Sequence, residues 1–481
     1  MKNLLLISIF TLSSFSQAIL INEAKLKEMV FKNTPADMRI SSKLDLHHLA
    51  VRIEKDSYTP HFFGEGKYKK TKEAPFITGF PVYSPEKSFG IGIYQKIPFG
   101  MNLKAQTYNI TRSFNPNSGP AISNRAQTVI QAGIEMDLLT NFLGRMDLAK
   151  LHMLQADHQS AKLERNIQSH QLYIQTRKIY WALVANQKAQ LTTTKLLSSA
   201  KIQVSKAKKR LAGAVADEGE VARFEAQLST RKAELLALKY KQEDLETHLK
   251  NIIPSLEAAS IQLGMIDEEN IMGMVLSCTH KVSSFSETPL NNTQYDEIIQ
   301  SMRDSYQQKE ILTDSYNYPD VKFNIKAKTT GVGNGLSKSY SDGWNNERDG
   351  IEFGLSLNIP LDHQLTQTKK IKSRVEKKLF EANTFELLNK LKVTHQQFQK
   401  LITYLNQIID SQNHVRSQLQ IRVKSMEKKY NQGRVSVTSY VQEQEGLLGS
   451  ELSVIETQLM IINVVLDYFS LFNQTPCSFN S

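Results

Sequence analysis

Residues able to do chemistry are present in this sequence, but their spacing does not assemble a site. Cys278 and His280 lie close together, yet zinc in proteins is held by three or four protein ligands. His47 and His48 are adjacent, so on a helix their side chains point to different faces. The sequence contains no GxSxG, HExxH, P-loop or CxxC motif, and no GxGxxG between a strand and a helix. These patterns predict no enzyme, no cofactor and no metal site.

The clearest pattern is a helical hairpin in residues 428–471. A basic helix end reaches Gly433, and a second helical pattern begins immediately after this glycine. A glycine at such a place is typical of a helix end that turns back. The second pattern has the heptad spacing of one seam of a coiled coil, carried by Val441, Leu448, Ile455 and Ile462.

The same design occurs earlier in the chain. Leu228 and Leu235 match Leu448 and Ile455 at a separation of 220 positions. We interpret this match as an internal duplication, and the alternative is two unrelated coiled-coil hairpins that share a common turn. Gly213 and Gly433 are the predicted turn glycines. At the same separation, Lys208, Lys209, Gly213, Val215 and Val221 match Lys428, Lys429, Gly433, Val435 and Val441.

Each hairpin is predicted to begin with a very long helix, at about 144–211 and at about 363–431. Neither range contains a proline. At 1.5 Å per residue, a helix of roughly 65 residues spans on the order of 100 Å, far more than the helices of globular proteins. Return helices are expected at 215–250 and 436–472, with a further helix at 292–317. Heptad rows in the long helices include Ile167, Ile174 and Trp181, and Leu391, Phe398 and Leu405.

Before each long helix the pattern changes to the period of two that is typical of strands. Apolar residues alternate with polar or small residues in 88–93, 130–138, 321–327 and 351–359. Each half is therefore predicted to hold one hairpin with a long loop. Alternation of this kind indicates a transmembrane barrel strand, and the alternative is a soluble sandwich with one solvated face. The isolation of each hairpin between long helices favours the barrel.

Four strands cannot close a barrel, because barrels that enclose a space have eight or more. Several identical chains must therefore share one barrel if these strands lie in a membrane. A closed ring of subunits also supplies partners for the seams of the helices.

The N-terminus is predicted to be a secretory signal peptide. Lys2 precedes a short apolar run, and a small-residue cleavage site ends at Ala18. No cysteine follows that site, so a lipid anchor is not supported, and no later uninterrupted apolar run is long enough to predict a membrane-spanning helix. In an oxidising compartment Cys278 and Cys477 are able to pair, but the sequence leaves that disulfide open.

The net charge of +11 is compatible with binding to nucleic acid or to an acidic membrane surface. Export argues against nucleic acid. The basic runs 206–210 and 369–378 are interpreted as solvated helix faces. The second run follows a strand end, where contact with anionic lipid headgroups is the alternative.

Over nearly the whole mature sequence the chain resembles the TolC family of outer-membrane efflux proteins. The resemblance rests on the duplicated plan, on Tyr318-Pro319, on Asn-Ile-Pro-Leu-Asp at 358–362, and on Tyr430 before Gly-Arg-Val-Ser at 433–436. It implies a mainly α fold with membrane β-structure. Long antiparallel coiled-coil helices would form a periplasmic tunnel, and two β-hairpins per chain would contribute to a shared trimeric transmembrane β-barrel of twelve strands.

The resemblance also implies function and partners. A homotrimer in the outer membrane, in contact with its lipid, would be the passive exit duct of a tripartite efflux or type I secretion system. An inner-membrane pump, joined through a periplasmic adaptor protein, would supply the energy. The alternative is a soluble periplasmic coiled-coil scaffold or adaptor without a pore.

The sequence departs from the family pattern at two places. Many members carry Leu-Phe-Asp-Gly-Gly after the last strand, whereas this chain has Leu-Asp-His-Gln at 361–364. Some members place aspartates six and nine residues after the tip glycine to narrow the pore, and these positions are Ser439 and Gln442 here. The match therefore does not support an aspartate ring of the family type.

The first hairpin tip is acidic instead, with Asp217, Glu218 and Glu220. We expect these acids near Tyr430 and Arg434 of the other hairpin, as a cluster that holds a periplasmic aperture closed. Exposed ion pairs contribute about 0–1 kcal/mol each, so such a cluster would act as a switchable latch. The alternative is that the acids only favour the N-terminus of the return helix.

The expected divisions follow from these patterns. They are a signal peptide (1–18), N-terminal helices and linker (19–87), a first barrel hairpin (88–143), a first helical-tunnel repeat with a mixed segment (144–318), a second barrel hairpin (319–362), a second helical-tunnel repeat (363–472) and a C-terminal tail (473–481).

Overall fold

The computed structural model describes residues 18–32, 34–70, 83–114, 125–257, 259–264, 273, 277, 294–315, 318–345, 348–359 and 364–472. The chain divides into two compact units. The first unit comprises residues 1–43, 163–296 and 386–481, and the second comprises residues 44–162 and 297–385. The predicted signal peptide before Ala18, and both Cys278 and Cys477, lie outside the described residues.

Helices make up most of the described chain. In chain order they are α1 (Glu23–Val30), α2 (Pro35–Asp56), α3 (Arg145–Ala212), α4 (Glu218–Ile252), α5 (Gln294–Ser315), α6 (Leu336–Trp344), α7 (Gln364–Asn431) and α8 (Val437–Leu471).

Two of the helical pairs have the same dimensions. Helices α3 and α7 each contain 68 residues, and α4 and α8 each contain 35 residues. The predicted bounds of these four helices are correct to within three residues. The equal lengths support an internal duplication of the strand-and-hairpin plan.

The predicted heptad rows are buried in the first unit. Val441, Leu448, Ile455 and Ile462 of α8 are all buried, as are Ile167, Ile174 and Trp181 of α3. Burial of an apolar side chain contributes roughly 1.5–3 kcal/mol, so these rows are the main source of stability in the hairpins. Helix α7 contributes Leu391, Phe398 and Leu405, together with Ile402 and Ile409.

Helix α8 is unusually apolar for a return helix. By length and composition alone it would suffice to cross a membrane, but half of its most apolar window is buried inside the protein. Val454 and Ile461 are at most 1% exposed and belong to the largest apolar core cluster. A helix at the centre of a packed core has the same composition as a membrane span, so α8 is explained by its packing.

The start of the described chain is fastened to the core of the first unit. Strand β1 (Ala18–Ile21) pairs in parallel with β6 (Ser260–Leu263). Asn22 caps α1 by accepting a hydrogen bond from the backbone N–H of Lys25. The guanidinium of Arg177 donates to Oε1 of Glu23 at 2.9 and 3.0 Å, and the indole of Trp181 donates to the same oxygen at 2.7 Å. Three donors on one buried oxygen offset the cost of removing the carboxylate from water.

The second unit contains a six-stranded antiparallel sheet. Its order is β2 (His61–Lys69), β3 (Tyr83–Ile97), β4 (Met101–Phe114), β5 (Arg125–Asp137), β7 (Asp320–Gly333) and β8 (Asp349–Asn358). The expectation of about four main strands per chain is therefore wrong. The predicted division of N-terminal helices and linker (19–87) holds β2 and the start of β3, and β4 lies where no strand was expected.

The two missed strands have weak alternation for a physical reason. In β2 the apolar positions Phe62 and Tyr68 are separated by Gly64 and Gly66. In β4 the apolar residues Met101, Leu103 and Ala105 give way to threonine and asparagine over the second half of the strand. Both strands are fixed by pairing with neighbours rather than by their own hydrophobic pattern.

The sheet has two chemically different faces. Cross-strand partners share a face, and the registers place Ile93, Ala105, Ala132, Ala327 and Ile351 in one row. This side is called the apolar face, and it also carries Phe89, Ile91, Leu103, Ile130, Ile134, Phe323, Ile325, Phe353, Leu355 and Leu357. The opposite side is called the polar face, and it carries Lys96, Lys104, Gln131, Glu135, Lys326 and Glu352.

A short helix lies between β7 and β8, where the second hairpin was predicted to have a long loop. Helix α6 packs against β5 and β7, where the apolar face becomes polar. Ser339 is fully buried, and its hydroxyl lies 2.8 Å from the Thr128 hydroxyl and accepts from the Asn109 amide at 3.1 Å. A Cβ at Gly331 would lie 2.1 Å from backbone atoms of Gly343 and Ser339. Glycine is therefore required at 331 for the helix to reach the sheet.

The junction from β5 to α3 is also tightly specified. The Asn141 side chain accepts from the backbone N–H groups of Met146 and Asp147 and so caps the helix. Its amide donates to Asp147, whose other oxygen accepts from Lys96 at 2.5 Å. Gly144 has φ +79°, and a Cβ there would meet the carbonyl of Pro98 at 1.8 Å. The strand therefore passes into the helix through one defined turn.

A buried histidine makes the helical core sensitive to pH. His395 is 2% exposed, and its Nδ1 lies 3.2 Å from the hydroxyl of Tyr468. Burial lowers the pKa of His395 below its ordinary value of 6.5. Burial also lowers the pKa of His170, whose Nε2 lies 2.9 Å from the carbonyl of Phe469, a contact that partly offsets the effect.

We expect His395→Gln to reduce the loss of stability in mild acid. A histidine with a lowered pKa in the folded state binds fewer protons than in the unfolded chain, so its stability contribution falls as pH drops below about 6.5. Thermal unfolding of wild type and variant between pH 8 and pH 5.5 would measure this difference. Exposed His414→Gln is the control. Equal pH slopes for wild type and His395→Gln would contradict a buried neutral imidazole.

Candidate functional site

The candidate site is formed by the tips of the two helical hairpins, α3–α4 and α7–α8, within the first unit. Both turns have the same hydrogen-bond pattern. Val215 N–H donates to the Arg210 carbonyl at 2.9 Å, and Arg434 N–H donates to the Lys429 carbonyl at 2.9 Å. A bond of this span ends a helix in a Schellman turn. Each residue of the first turn therefore corresponds to the residue 219 positions later.

This correspondence changes the assignment of the turn glycines. Gly433 has φ +70°, as expected for the residue that reverses the chain, and its structural counterpart is Ala214, which has φ +55°. Gly213 is not in the left-handed region. The residue that reverses the first turn is therefore Ala214, one position after the predicted Gly213. The sequence match pairs residues 220 positions apart, whereas equivalent turn residues in the structure are 219 positions apart.

Both return helices begin with a side-chain cap. Asp217 accepts from the backbone N–H of Glu220 at 2.7 Å, and Ser436 accepts from the backbone N–H of Ser439 at 3.2 Å. These two residues are also 219 positions apart. The role of Asp217 in the structure is thus that of an N-cap, which typically stabilises a helix by about 1 kcal/mol.

Beneath the turns the two hairpins share a small apolar cluster, here called the tip cluster. It consists of Val204, Ala207, Val221, Phe224, Tyr430, Tyr440 and Val441, all buried. The ring of Tyr430 stacks on that of Tyr440 at 5.3 Å and meets the edge of Phe224 at 5.8 Å. Aromatic pairs in these geometries contribute about 0.5–1.5 kcal/mol beyond their burial. The tip cluster therefore joins the two hairpins.

One carboxylate connects the tip cluster to the surface. The Tyr430 hydroxyl donates to Oε1 of Glu220 at 2.5 Å. The Arg210 guanidinium lies 3.4 Å from the same oxygen and 4.8 Å from the centre of the Tyr430 ring. Glu220 and Arg210 are partly buried, with side chains 13% and 29% exposed. Because it is shielded from water, this contact is stronger than an exposed ion pair.

The two tyrosines are held neutral. Burial raises the pKa of Tyr430 above its ordinary range, and the hydrogen bond to Glu220 raises it further. Burial raises the pKa of Tyr440 to about 12. The Tyr440 hydroxyl accepts from the amides of Gln203 at 3.3 Å and Gln444 at 2.9 Å. The tip therefore keeps its tyrosine hydroxyls protonated throughout the physiological pH range.

The predicted acidic cluster is only partly brought together. Glu220 meets Tyr430, but Glu218 and Arg434 are exposed, and no hydrogen bond or ion pair joins them in the part of the chain that is described. Arg210 takes the place expected for Arg434. It belongs to the basic run 206–210, which was interpreted as a solvated face. The signal available was its position beside Ala207 and Leu211, whose spacing marks a buried stripe.

The described residues contain no group of three or more histidine, cysteine, aspartate or glutamate side chains that could hold a metal ion. The chemistry available at the tips is therefore that of hydrogen bonds, one partly buried ion pair and aromatic packing. Such contacts can hold two helical hairpins together or release them.

Ala214→Gly should stabilise the first turn. A left-handed conformation costs a residue with a Cβ about 1–2 kcal/mol, and glycine removes this cost. The greater conformational freedom of glycine in the unfolded chain lowers the gain in stability by about 0.4–1 kcal/mol. Gly433→Ala should destabilise by a similar amount, since no atom lies within 4 Å of the new Cβ and only the backbone is strained. Chemical denaturation measures both effects. Gly213→Ala is the matched control, and a loss of stability as large as that of Gly433→Ala would contradict the revised assignment.

Removal of the Glu220 contact should loosen the tip. Tyr430→Phe and Glu220→Ala each delete a hydrogen bond to a charged group, worth about 1.5–3 kcal/mol, and both should lower the opening free energy of residues 218–224 in hydrogen exchange. Glu218→Ala should change it by less than about 0.5 kcal/mol, because that side chain is exposed. Equal effects of Glu218→Ala and Glu220→Ala would mean that both acids act only by favouring the N-terminus of α4, and that the contact between Glu220 and Tyr430 adds no stability.

Comparison with known proteins identifies the architecture. No protein-family model and no curated protein match this sequence. Among solved structures, the outer membrane protein VceC from Vibrio cholerae is 13% identical with a TM-score of 0.66, covering 93% of this chain and 95% of its own. CusC is 11% identical with a TM-score of 0.67, covering 95% and 93%. The CmeC outer membrane channel of Campylobacter jejuni is 13% identical with a TM-score of 0.67, covering 94% and 85%. The chain has the fold of the TolC-like outer-membrane efflux channels.

Proposed function

We propose that this protein is an outer-membrane channel that serves as the passive exit duct of a tripartite efflux or secretion system. The observation that carries the proposal is the combination of a two-faced antiparallel sheet with two long helical hairpins of equal dimensions. The likeness to solved channels supports the same conclusion at the level of the fold.

The sheet is suited to a membrane. Along β3 the apolar face runs from Phe89 to Ile97, which is nine residues, and a tilted transmembrane strand needs about 9–11. Its large apolar side chains are exposed in the single chain, with Ile351, Phe353 and Leu355 each 67–69% exposed. Exposed apolar patches of this extent are rare on soluble monomers. In a membrane, lipid would cover the apolar face and water would contact the polar face, so each face would meet a solvent that matches its side chains.

The channel works as a homotrimer in this proposal. A six-stranded sheet is too small to enclose a lumen, so several copies must combine. The two helical hairpins of each copy form the wall of a periplasmic tunnel. A periplasmic adaptor protein and an inner-membrane pump are the inferred partners, and the pump supplies the energy, since a passive duct supplies none.

The hairpin tips form the periplasmic aperture of this duct. The inferred aperture residues are Asp217, Glu218, Glu220, Tyr430 and Arg434, and we add Arg210, which lies 3.4 Å from the Glu220 carboxylate. Glu220 is the central member, because its hydrogen bond to Tyr430 joins the two hairpins of one chain, and its ion pair with Arg210 lies within the first hairpin. Release of this contact separates the tips and widens the aperture.

Single-channel recording in a planar bilayer, with the oligomeric mass measured in detergent, tests the proposal. The expected result is a trimer with discrete pores, and Glu220→Ala should raise the conductance or the open fraction while Glu218→Ala should not. A water-soluble protein without conductance would overturn the channel and would favour a periplasmic scaffold. Pores whose conductance is unchanged by Glu220→Ala would support the channel function and contradict the role of the hairpin tips as its aperture.

A further inference from the structure

Helix α6 lies on the apolar face, at one end of the sheet. The long helices α3 and α7 follow the ends of β5 and β8, whereas α6 begins after Gly333, at the opposite end of the sheet. The Ser339 hydroxyl of α6 contacts Asn109 and Thr128, which are cross-strand partners in a row of the apolar face. In the proposed channel, α6 therefore lies on the lipid-facing surface at the membrane boundary farther from the periplasm.

We propose that α6 is an interfacial helix that binds the lipid of the distal leaflet, where the acyl chains meet the phosphate headgroups. This inference rests on the proposed channel function. It adds a lipid-binding element that is separate from the strands, because α6 packs on the sheet and is not part of it.

The exposed side chains of α6 form two chemically different edges. Residues four apart on a helix lie in one row. The apolar edge consists of Leu336, Tyr340 and Trp344, and the polar edge consists of Lys338 and Asp342. Leu336 and Trp344 are 57% and 78% exposed, so water would contact most of this apolar surface if no lipid covered it. The side of the helix between the two edges is packed on the sheet.

Hydrogen bonds determine which edge faces the hydrocarbon. At the apolar edge, the Tyr340 hydroxyl accepts from Thr107 at 3.3 Å, and Thr107 lies in the row of Thr329. At the polar edge, Asp342 accepts from the backbone N–H of Val332 at 2.8 Å. Val332 is three residues beyond Thr329 on β7, which is about 10 Å along a strand. The apolar edge therefore faces the apolar rows of the sheet, and the polar edge faces away from them.

Trp344 lies where the exposed apolar row of β8 begins. The carbonyl of the preceding Gly343 accepts from Thr329 at 2.9 Å, and Thr329 pairs with Asp349, two residues before Ile351. Ile351 is 69% exposed. Tryptophan is enriched where acyl chains meet headgroups, because its ring is apolar and its N–H is polar. The position of Trp344 is therefore that of an interfacial anchor.

Another part of the apolar face changes character at the same height. The next residue after Phe89 on this face is Lys87, which pairs with Tyr68 of β2, and both side chains are exposed. The row of Lys87 ends at Gly333, directly before α6. Tyrosine and lysine at such a border reach from hydrocarbon to headgroups. Lys87, and Lys338 on α6, supply positive charge for lipid phosphates.

The underside of α6 removes an obstacle to lipid contact. Asn109 and Thr128 are polar residues on the otherwise apolar face, and hydrocarbon against unpaired polar groups is costly. Both are buried beneath α6, at 4% and 0% exposure, and both are hydrogen-bonded to Ser339. Hydrocarbon can therefore extend to the apolar edge of α6 without meeting either polar side chain.

Tryptophan fluorescence tests the proposal on the full-length protein. The chain has two tryptophans, and Trp181 is buried in the helical core, so the difference between wild type and Trp344→Phe reports Trp344. The protein is reconstituted in vesicles of phosphatidylcholine and phosphatidylglycerol with bromine either near the headgroup end of the acyl chains or near the bilayer centre. Bromine near the headgroups should quench Trp344 more strongly than bromine at the centre, and aqueous iodide should quench it only weakly.

Two further variants in the Trp344→Phe background calibrate the depth. Phe353→Trp lies on the apolar face, where the native side chain is 67% exposed, and should be quenched most strongly by bromine at the centre. Lys338→Trp places the same side chain on the polar edge of α6, and it should be quenched more by iodide than by either brominated lipid.

The outcomes separate this proposal from the channel function. If bromine quenches Phe353→Trp but not Trp344, the lipid-facing sheet is supported and α6 as a lipid anchor is rejected. Equal iodide quenching of Trp344 and Lys338→Trp would place both edges in water, and Trp344 shielded from bromine and iodide alike would be covered by protein; either result overturns the proposal. Absence of bromine quenching in Phe353→Trp would reject the lipid-facing sheet and the proposed function with it.

Discussion

The structure depends on one constraint, the pairing of every backbone N–H and C=O group in the six-stranded sheet. A strand in hydrocarbon has no water to accept its hydrogen bonds, so an open edge is costly at each residue. Within one chain, β3, β4, β5 and β7 have neighbours on both sides, whereas β2 and β8 have one each. In the proposed membrane channel, the demand for assembly therefore arises from the sheet itself, independently of the helices.

Much of the helical architecture could be predicted from the sequence, because heptad spacing is a local and repeated signal. Val441, Leu448, Ile455 and Ile462 identify their own seam, and all four are buried. The strands were harder to predict. Gly64 and Gly66 interrupt the alternation in β2, and Thr107 and Asn109 do so in β4, where the neighbours of the strand decide its structure. The number of strands per chain was therefore underestimated.

The tip shows the same division between local and tertiary information. The existence of a turn could be predicted from Gly433, but the left-handed role of Ala214 could not be predicted, because the glycine one position earlier is the more obvious candidate. The contact of Glu220 with Tyr430 was anticipated. The spacing of Ala207 and Leu211 places Arg210 beside a buried stripe, but its contact with the Tyr430 ring depends on where the second hairpin lies beside the first.

In the proposed channel, the sheet and the hairpin tips place opposite demands on their contacts. The sheet must never open, so its strands are joined by continuous ladders in which each residue adds a bond. The tips must be able to open, and there the two hairpins are joined by the tip cluster and by one partly buried carboxylate. Because a single charged group bridges Tyr430 and Arg210, a small change in its surroundings alters the balance between the joined and separated tips. In the proposed function, a channel that is permanent in the membrane and conditional at its entrance follows from this difference in the number of contacts.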